Sequence, residues 1–143
     1  MEKAVVDASV VVKWFVSEEN SAEALALRDA FVGDRMALFA PSLMPFEVVN
    51  ALCQASAEEE FLLESSRSLT KYGIHLQGLS GPYFERVVRT ARRNGVSVYD
   101  ASYLALAEQI GCKLYTADGE LLKRLADADR TRAAHIVDFA LPT

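Results

Sequence analysis

The carboxylates that could do chemistry in this chain are Asp7, Glu47, Asp100 and Asp118, because each follows a predicted strand or sits in the first turns of a predicted helix. In open α/β sheets, functional groups gather beyond the carboxyl ends of the strands, where several loops meet in one crevice. Every one of these acids also has a purely local reading. Asp7 could terminate a strand and bond the backbone of the Ala8-Ser9 turn. Ser97-Val98-Tyr99-Asp100 has the form of a capping box, in which Asp100 satisfies backbone donors and complements the helix dipole. Asp118, ahead of Gly119-Glu120-Leu121-Leu122, has the form of an N-cap. Glu47 shares a helical face with Leu43, Asn50 and Gln54, as a solvated side chain would. Their conjunction is more informative than any one of them. Four carboxylates in one pocket raise one another's pKa and destabilise the fold unless a cation neutralises them, and hard divalent ions such as Mg²⁺ or Mn²⁺ take oxygen ligands of this kind. The cluster therefore implies a metal.

The elements that must position these acids alternate along the chain. Short apolar or β-branched runs at Ala4–Val6, Ala37–Ala40, Ile74–Leu76, Lys113–Tyr115 and His135–Val137 read as strands. Apolar spacing at three and four, with punctuation at Pro41, Gly95 and Gly111, predicts helices over 8–15, 20–32, 42–57, 60–71, 82–94, 98–110 and 119–127. Strand–helix alternation means a parallel sheet covered on both faces. With no repeat, Ser/Gly linker or composition boundary, residues 1–143 are expected to form one domain.

Composition excludes several classes. With 51% hydrophobic and 24% charged residues and no apolar run long enough to span a bilayer, the chain reads as globular, soluble and cytoplasmic, and Asp7 interrupts the only stretch resembling a leader. The two cysteines, Cys53 and Cys112, are expected to be buried small hydrophobes rather than a disulfide or metal ligands. The net charge of -5 is unevenly placed: residues 1–64 hold four Lys/Arg against twelve Asp/Glu, and residues 65–143 hold eleven against eight. An acidic centre beside a basic half suits an enzyme for polyanions, although a mixed solvated surface gives the same count.

Four segments carry a family resemblance: Val5-Val6-Asp7-Ala8-Ser9-Val10, Pro45-Phe46-Glu47-Val48-Val49-Asn50-Ala51-Leu52, Tyr99-Asp100-Ala101-Ser102-Tyr103-Leu104-Ala105-Leu106-Ala107 and Leu114-Tyr115-Thr116-Ala117-Asp118-Gly119-Glu120-Leu121-Leu122. In this order and spacing the chain resembles the PIN domain, in the branch of VapC-like toxin ribonucleases of type II toxin–antitoxin systems. The resemblance runs from Val5 to about Val137. It implies a three-layer α/β/α sandwich with a small, mainly parallel central sheet, and assigns Asp7, Glu47, Asp100 and Asp118 to an acidic site holding one or two Mg²⁺ or Mn²⁺ ions. Ser9, Asn50 and Thr116 match supporting polar positions. The implied reaction is hydrolysis of an RNA phosphodiester by water activated at the metal and attacking in line, leaving 5′-phosphates. The implied partners are RNA, a cognate antitoxin that occupies the acidic crevice through a basic side chain, and a second copy in a homodimer.

Other chemistries lack their parts. His75 and His135 lie in or beside predicted strands, far from a paired base, and read as structural. No serine-hydrolase elbow, Walker loop or dinucleotide-binding turn occurs. A haloacid-dehalogenase-type phosphatase would need a second Asp where Ser9 stands, and a non-catalytic PIN-fold binding or scaffolding module remains the alternative to a nuclease. For RNA contact, Arg86, Arg89 and Arg93 share one face of the helix 82–94, with Arg92 alongside, and Lys13 adjoins Trp14 near the first acidic loop. A basic solvated face and a core tryptophan are the bland readings of these features.

Overall fold

The computed structural model describes residues 1–55 and 58–141, and the last two positions of the expected helix 42–57 lie outside them. Five strands among these residues form one sheet: β1 (Glu2–Val6), β2 (Met36–Pro41), β3 (His75–Gln77), β4 (Lys113–Thr116) and β5 (Ala133–His135). Their order is β3-β2-β1-β4-β5 and every pairing is parallel. Ala4, Val5 and Val6 are all buried although alternate strand residues face opposite sides, so both faces of β1 are covered, as a parallel sheet requires.

Among the described residues seven α-helices connect and cover the strands: α1 (Ala8–Val11), α2 (Ser21–Val32), α3 (Met44–Ala55), α4 (Glu59–Tyr72), α5 (Gly81–Asn94), α6 (Val98–Ile110) and α7 (Gly119–Arg124). The central one is α6, whose residues Ala101 to Ala107 are all buried while it packs on β1, β2 and β4. Its sequence is apolar on every side, which is what a helix enclosed by protein needs. The Ser97 hydroxyl caps its start by accepting from the Asp100 N–H at 3.0 Å, and Gly111 ends it at φ 80°. That left-handed residue turns the chain directly into β4. Among the described residues no helix is long and apolar enough to cross a membrane.

The structure corrects several expected boundaries. The helix expected over 8–15 is α for only one turn and tightens to a 3-10 turn at Val12–Trp14, within a run of β-branched valines that lose side-chain freedom in α-helix. The helix expected over 119–127 stops at Arg124, and a 3-10 segment follows at Asp127–Arg132. The cause is tertiary: Asp129 is drawn inward to Arg93 and Asn94. The last strand lies at Ala133–His135 rather than 135–137, because His135 Nδ1 accepts from the Val137 N–H and curls the chain into a 3-10 turn that buries Ile136. Cys53 is exposed rather than buried, whereas Cys112 is half-buried; both are free thiols.

Candidate metal centre

In the strand order, β2 and β3 lie to one side of β1, and β4 and β5 to the other. The chain thus reverses its direction of travel across the sheet between β1 and β4, and such a switch point opens a crevice beyond the strand ends. Asp7 leaves β1 there and Asp118 follows β4, while α3 and α6 bring Glu47 and Asp100 in their first turns.

Asp7 is 9% exposed, and two hydroxyls donate to the same oxygen, Oδ2: Ser9 Oγ at 2.5 Å and Thr116 Oγ1 at 3.0 Å. Each hydroxyl in turn accepts a backbone N–H, Ser9 from Ala117 and Thr116 from Asp118, both at 3.0 Å. With their lone pairs so engaged, the hydroxyls aim their protons at Asp7. This chain of bonds ties the loop bearing Asp118 to the carboxylate of Asp7. Ser9 and Thr116 thus both bond the Asp7 carboxylate, whereas Asn50 is exposed and takes no side-chain hydrogen bond among the described residues.

Glu47 is half-buried, and its Oε1 accepts from the Tyr103 hydroxyl at 2.5 Å. Asp118 is also the N-cap of α7, its Oδ1 accepting from the Glu120 and Leu121 N–H groups at 3.0 and 3.1 Å, so its local reading holds as well. Burial pushes the Asp7 carboxyl above the usual carboxylate range, opposed by the Ser9 and Thr116 bonds and reinforced by the charge of Asp100. Glu47 is raised by burial and by Asp7 and Asp100, against the Tyr103 bond. Asp100 is raised by burial and by the charge of Asp118, and eased by its Ser97 bond and by Arg124. The acids therefore feel one another as a group.

Hard oxygen donors whose negative charge the fold disfavours are the donor set a divalent cation relieves. The fit lies in the chemistry of these donors and not in a closed cage: among the described residues no three His, Cys, Asp or Glu side chains are placed to hold an ion together.

The sequence reading missed Tyr103, which looks like one more core residue in an apolar run, and Arg124, whose proximity to Asp100 depends on how α7 docks. It also missed a groove of about 500 Å³ lined by Leu43, Leu79, Phe84, Val98 and Tyr99. Two exposed aromatics are chain neighbours of the candidate acids: Tyr99, which lines the groove, at 66% exposure, and Phe46 at 80%.

The proposed RNA contacts fare differently. Arg86 is ion-paired with Glu108 of α6, and Arg93 bonds Asp129 at 2.8 Å and Glu108 at 3.2 Å, so both fasten α5 to its neighbours. Among the described residues Arg89 is ion-paired with Glu85 alone, at 3.7 Å on its own helix. Lys13 reaches Glu18 at 3.5 Å and lines a depression of about 310 Å³ with Asn20, Ala117 and His135. Trp14 is a core residue, donating from Nε1 to the Ala24 carbonyl at 2.9 Å. His75 stacks on Phe39 with centroids 4.9 Å apart.

The PIN-domain family model matches residues 4–128. This chain belongs to the PIN-domain family. It is 34% identical over 128 residues to Ribonuclease VapC3 of Pyrobaculum aerophilum, covering 85% of this chain and 94% of that protein. A second relative from the same organism, Exonuclease VapC9, is 34% identical over 101 residues, covering 70% of this chain and 76% of its own. These matches place the chain with the VapC-like members of the family. Among solved structures, the sarcin–ricin-loop-cleaving toxin VapC20 of Mycobacterium tuberculosis superposes with a TM-score of 0.65 at 13% identity, covering 82% of this chain and 92% of that one. A toxin–antitoxin complex from Klebsiella pneumoniae gives 0.59 at 17% identity, covering 80% of this chain and 86% of that one. At such identities the structural likeness concerns the fold.

Proposed function

We propose that this PIN-domain protein is a divalent-cation-dependent endoribonuclease and the toxin of a toxin–antitoxin pair, with Asp7, Glu47, Asp100 and Asp118 as the carboxylates that hold the cation. What supports the reading is that the elements at the switch point of the sheet carry these acids, that Asp7, Glu47 and Asp100 each feel the charge of a neighbouring acid, and that Asp7 and Glu47 each have one oxygen fastened by hydroxyl donors. The relatives named as VapC nucleases support it.

One or two Mg²⁺ or Mn²⁺ ions, when bound, would offset the clustered charge and supply Lewis-acid activation of water and phosphodiester. The chain's own part is to present the carboxylates in fixed orientations. Ser9 and Thr116 hold Asp7, Asp118 is held by the start of α7, and Asn50 stands one turn beyond Glu47 as an outer polar group. Lys13 beside Ala117, Arg124 beside Asp100, and Arg89 on α5 supply positive charge for the flanking RNA phosphates, with Arg86 and Arg93 contributing mainly by holding α5 in place. The exposed apolar side chains around Phe46, Leu79 and Tyr99 give the antitoxin or a second copy of the chain a surface to cover. The proposed setting is the cytoplasm.

The test is cleavage of labelled structured and single-stranded RNAs with Mn²⁺, with EDTA, and by the Asp7→Asn and Asp100→Asn variants. Metal-dependent cutting that both variants abolish is the expected result; metal-independent cutting that survives both substitutions points to contamination. Because one relative is named an exonuclease, a circular RNA should be included. Cleavage of the circle identifies internal scission, and attack on linear RNA alone identifies an exonuclease.

A further inference from the structure

We propose that Tyr103 is a positioning residue of this site: its buried hydroxyl fixes the Glu47 carboxylate and sets the spacing of the elements that carry Asp7, Glu47 and Asp100. The proposal rests on the reading of these acids as a metal site. Tyr103 is 1% exposed in the middle of α6, between Ser102 and Leu104, where a phenylalanine would fill nearly the same volume. Burying the hydroxyl carries a desolvation penalty unless it finds partners. Among the described residues it finds its partner in a carboxylate of the acidic group. The hydroxyl donates to Glu47 Oε1 at 2.5 Å, across 56 positions of sequence, and the backbone of Ala8, the residue after Asp7, lies near it.

Tyr103 stands three residues after Asp100 on α6, so the two project from one face, with Tyr103 one turn further along. A single phenolic oxygen thereby ties the first turn of α3 to the helix that bears Asp100, with the start of α1 close by. With Oε1 of Glu47 engaged, the carboxylate is held in one rotation and presents Oε2 as its remaining donor. Outer hydrogen bonds of this kind orient ligands and tune ion affinity.

Tyr83 supplies an internal contrast. It too is buried with a bonded hydroxyl, but it donates at 2.8 Å to the Ser102 backbone carbonyl and touches none of the acids. A tyrosine that only fastens α5 to α6 should affect stability and leave ion binding alone.

The experiment is Mn²⁺ titration of the EDTA-stripped and desalted protein, without RNA, followed by calorimetry or by the electron paramagnetic resonance signal of free Mn²⁺. The wild type, Tyr103→Phe, Tyr83→Phe, Glu47→Ala and the Tyr103→Phe/Glu47→Ala double variant are compared, with circular dichroism recorded first. Tyr103→Phe is expected to weaken Mn²⁺ binding by about 10-fold. Tyr83→Phe should stay within about twofold of the wild type, and Tyr103→Phe should add nothing in the Glu47→Ala background, because the hydroxyl acts through that carboxylate. Tyr103→Met, also apolar and of core size, repeats the measurement in case the phenylalanine variant folds poorly. Unchanged affinity in both apolar variants, or an equal loss with and without Glu47, overturns the positioning role. Absence of Mn²⁺ binding by the wild type instead overturns the metal-site reading and the proposal with it, so the two failures are distinct.

Discussion

Removing the charge of Asp7 should stabilise the metal-free protein while abolishing its chemistry. Asp7 is buried, and burial outweighs its two hydroxyl donors, so the fold disfavours the ionised form. The Asp7→Asn variant keeps an oxygen where Ser9 and Thr116 donate. Two charge-assisted bonds become neutral ones, a loss of about 2 kcal/mol in all. Against this stands the desolvation of a buried ion, several kcal/mol even after relaxation. The net is a gain on the order of 2 kcal/mol, or roughly 6 °C in Tm at about 3 °C per kcal/mol for a chain of this size. The pH dependence follows from the raised folded pKa: Asp7 contributes stability that is fully present below its unfolded value of 3.8 and lost as pH rises through the folded value. The difference between variant and wild type should therefore be small at low pH and open as pH rises toward neutrality. Differential scanning calorimetry in EDTA across pH 3.5 to about 7.5 measures it, and subtracting wild type cancels the other titrating groups. Added Mn²⁺ should reverse the order, since a ligand that binds only the folded wild type stabilises it by about 1.4 kcal/mol per decade of concentration above Kd. A variant less stable than wild type in EDTA at neutral pH would refute the argument, because it would mean that hydrogen bonding outweighs desolvation at Asp7.

The same linkage runs the other way at Asp129. Burial pushes its carboxyl up, but the bonds from Arg93 and Asn94 outweigh that and hold it below the usual range. Asp129→Asn should destabilise the protein by about 3 kcal/mol at neutral pH, the deficit shrinking as pH falls below 3.8 through the depressed folded value; urea unfolding at two pH values checks it. Trp14→Phe should lower stability by about 1–2 kcal/mol by removing the bond to Ala24 and leave RNA affinity unchanged, whereas a weaker RNA complex would restore the stacking role. Arg89→Ala should reduce the salt slope of RNA binding by about 1, and an unchanged slope in filter binding would take α5 out of the RNA path.

The sheet, its parallel sense and the central helix were legible because local signals agree with their tertiary setting. The helix expected at 98–110 matches α6 to the residue, since Ser97 caps one end, Gly111 releases the other and the stretch from Ala101 to Ala107 between them is largely apolar and wholly buried. The acids were legible as candidates because strand ends and helix starts are written in local sequence. Their hydrogen-bond partners were not legible in local sequence: Ser9 and Thr116 both came from the family resemblance.

What the sequence concealed depends on contacts far apart in the chain. Arg86 and Arg93 look like a solvated basic stripe until α6 and the Asp127–Arg132 segment arrive with Glu108 and Asp129. The same arrival ends α7 early, because a buried ion pair fixes where Asp129 must lie. Tyr103 is hidden for the opposite reason. A tyrosine in an apolar helix satisfies the core pattern completely, and only its hydroxyl, one atom beyond that pattern, reaches Glu47. Both cases follow from one property of the fold: a site at a sheet's switch point gathers residues from four separate elements, so hydrophobic periodicity can place the elements but says nothing about which polar atom on one will meet a charge on another.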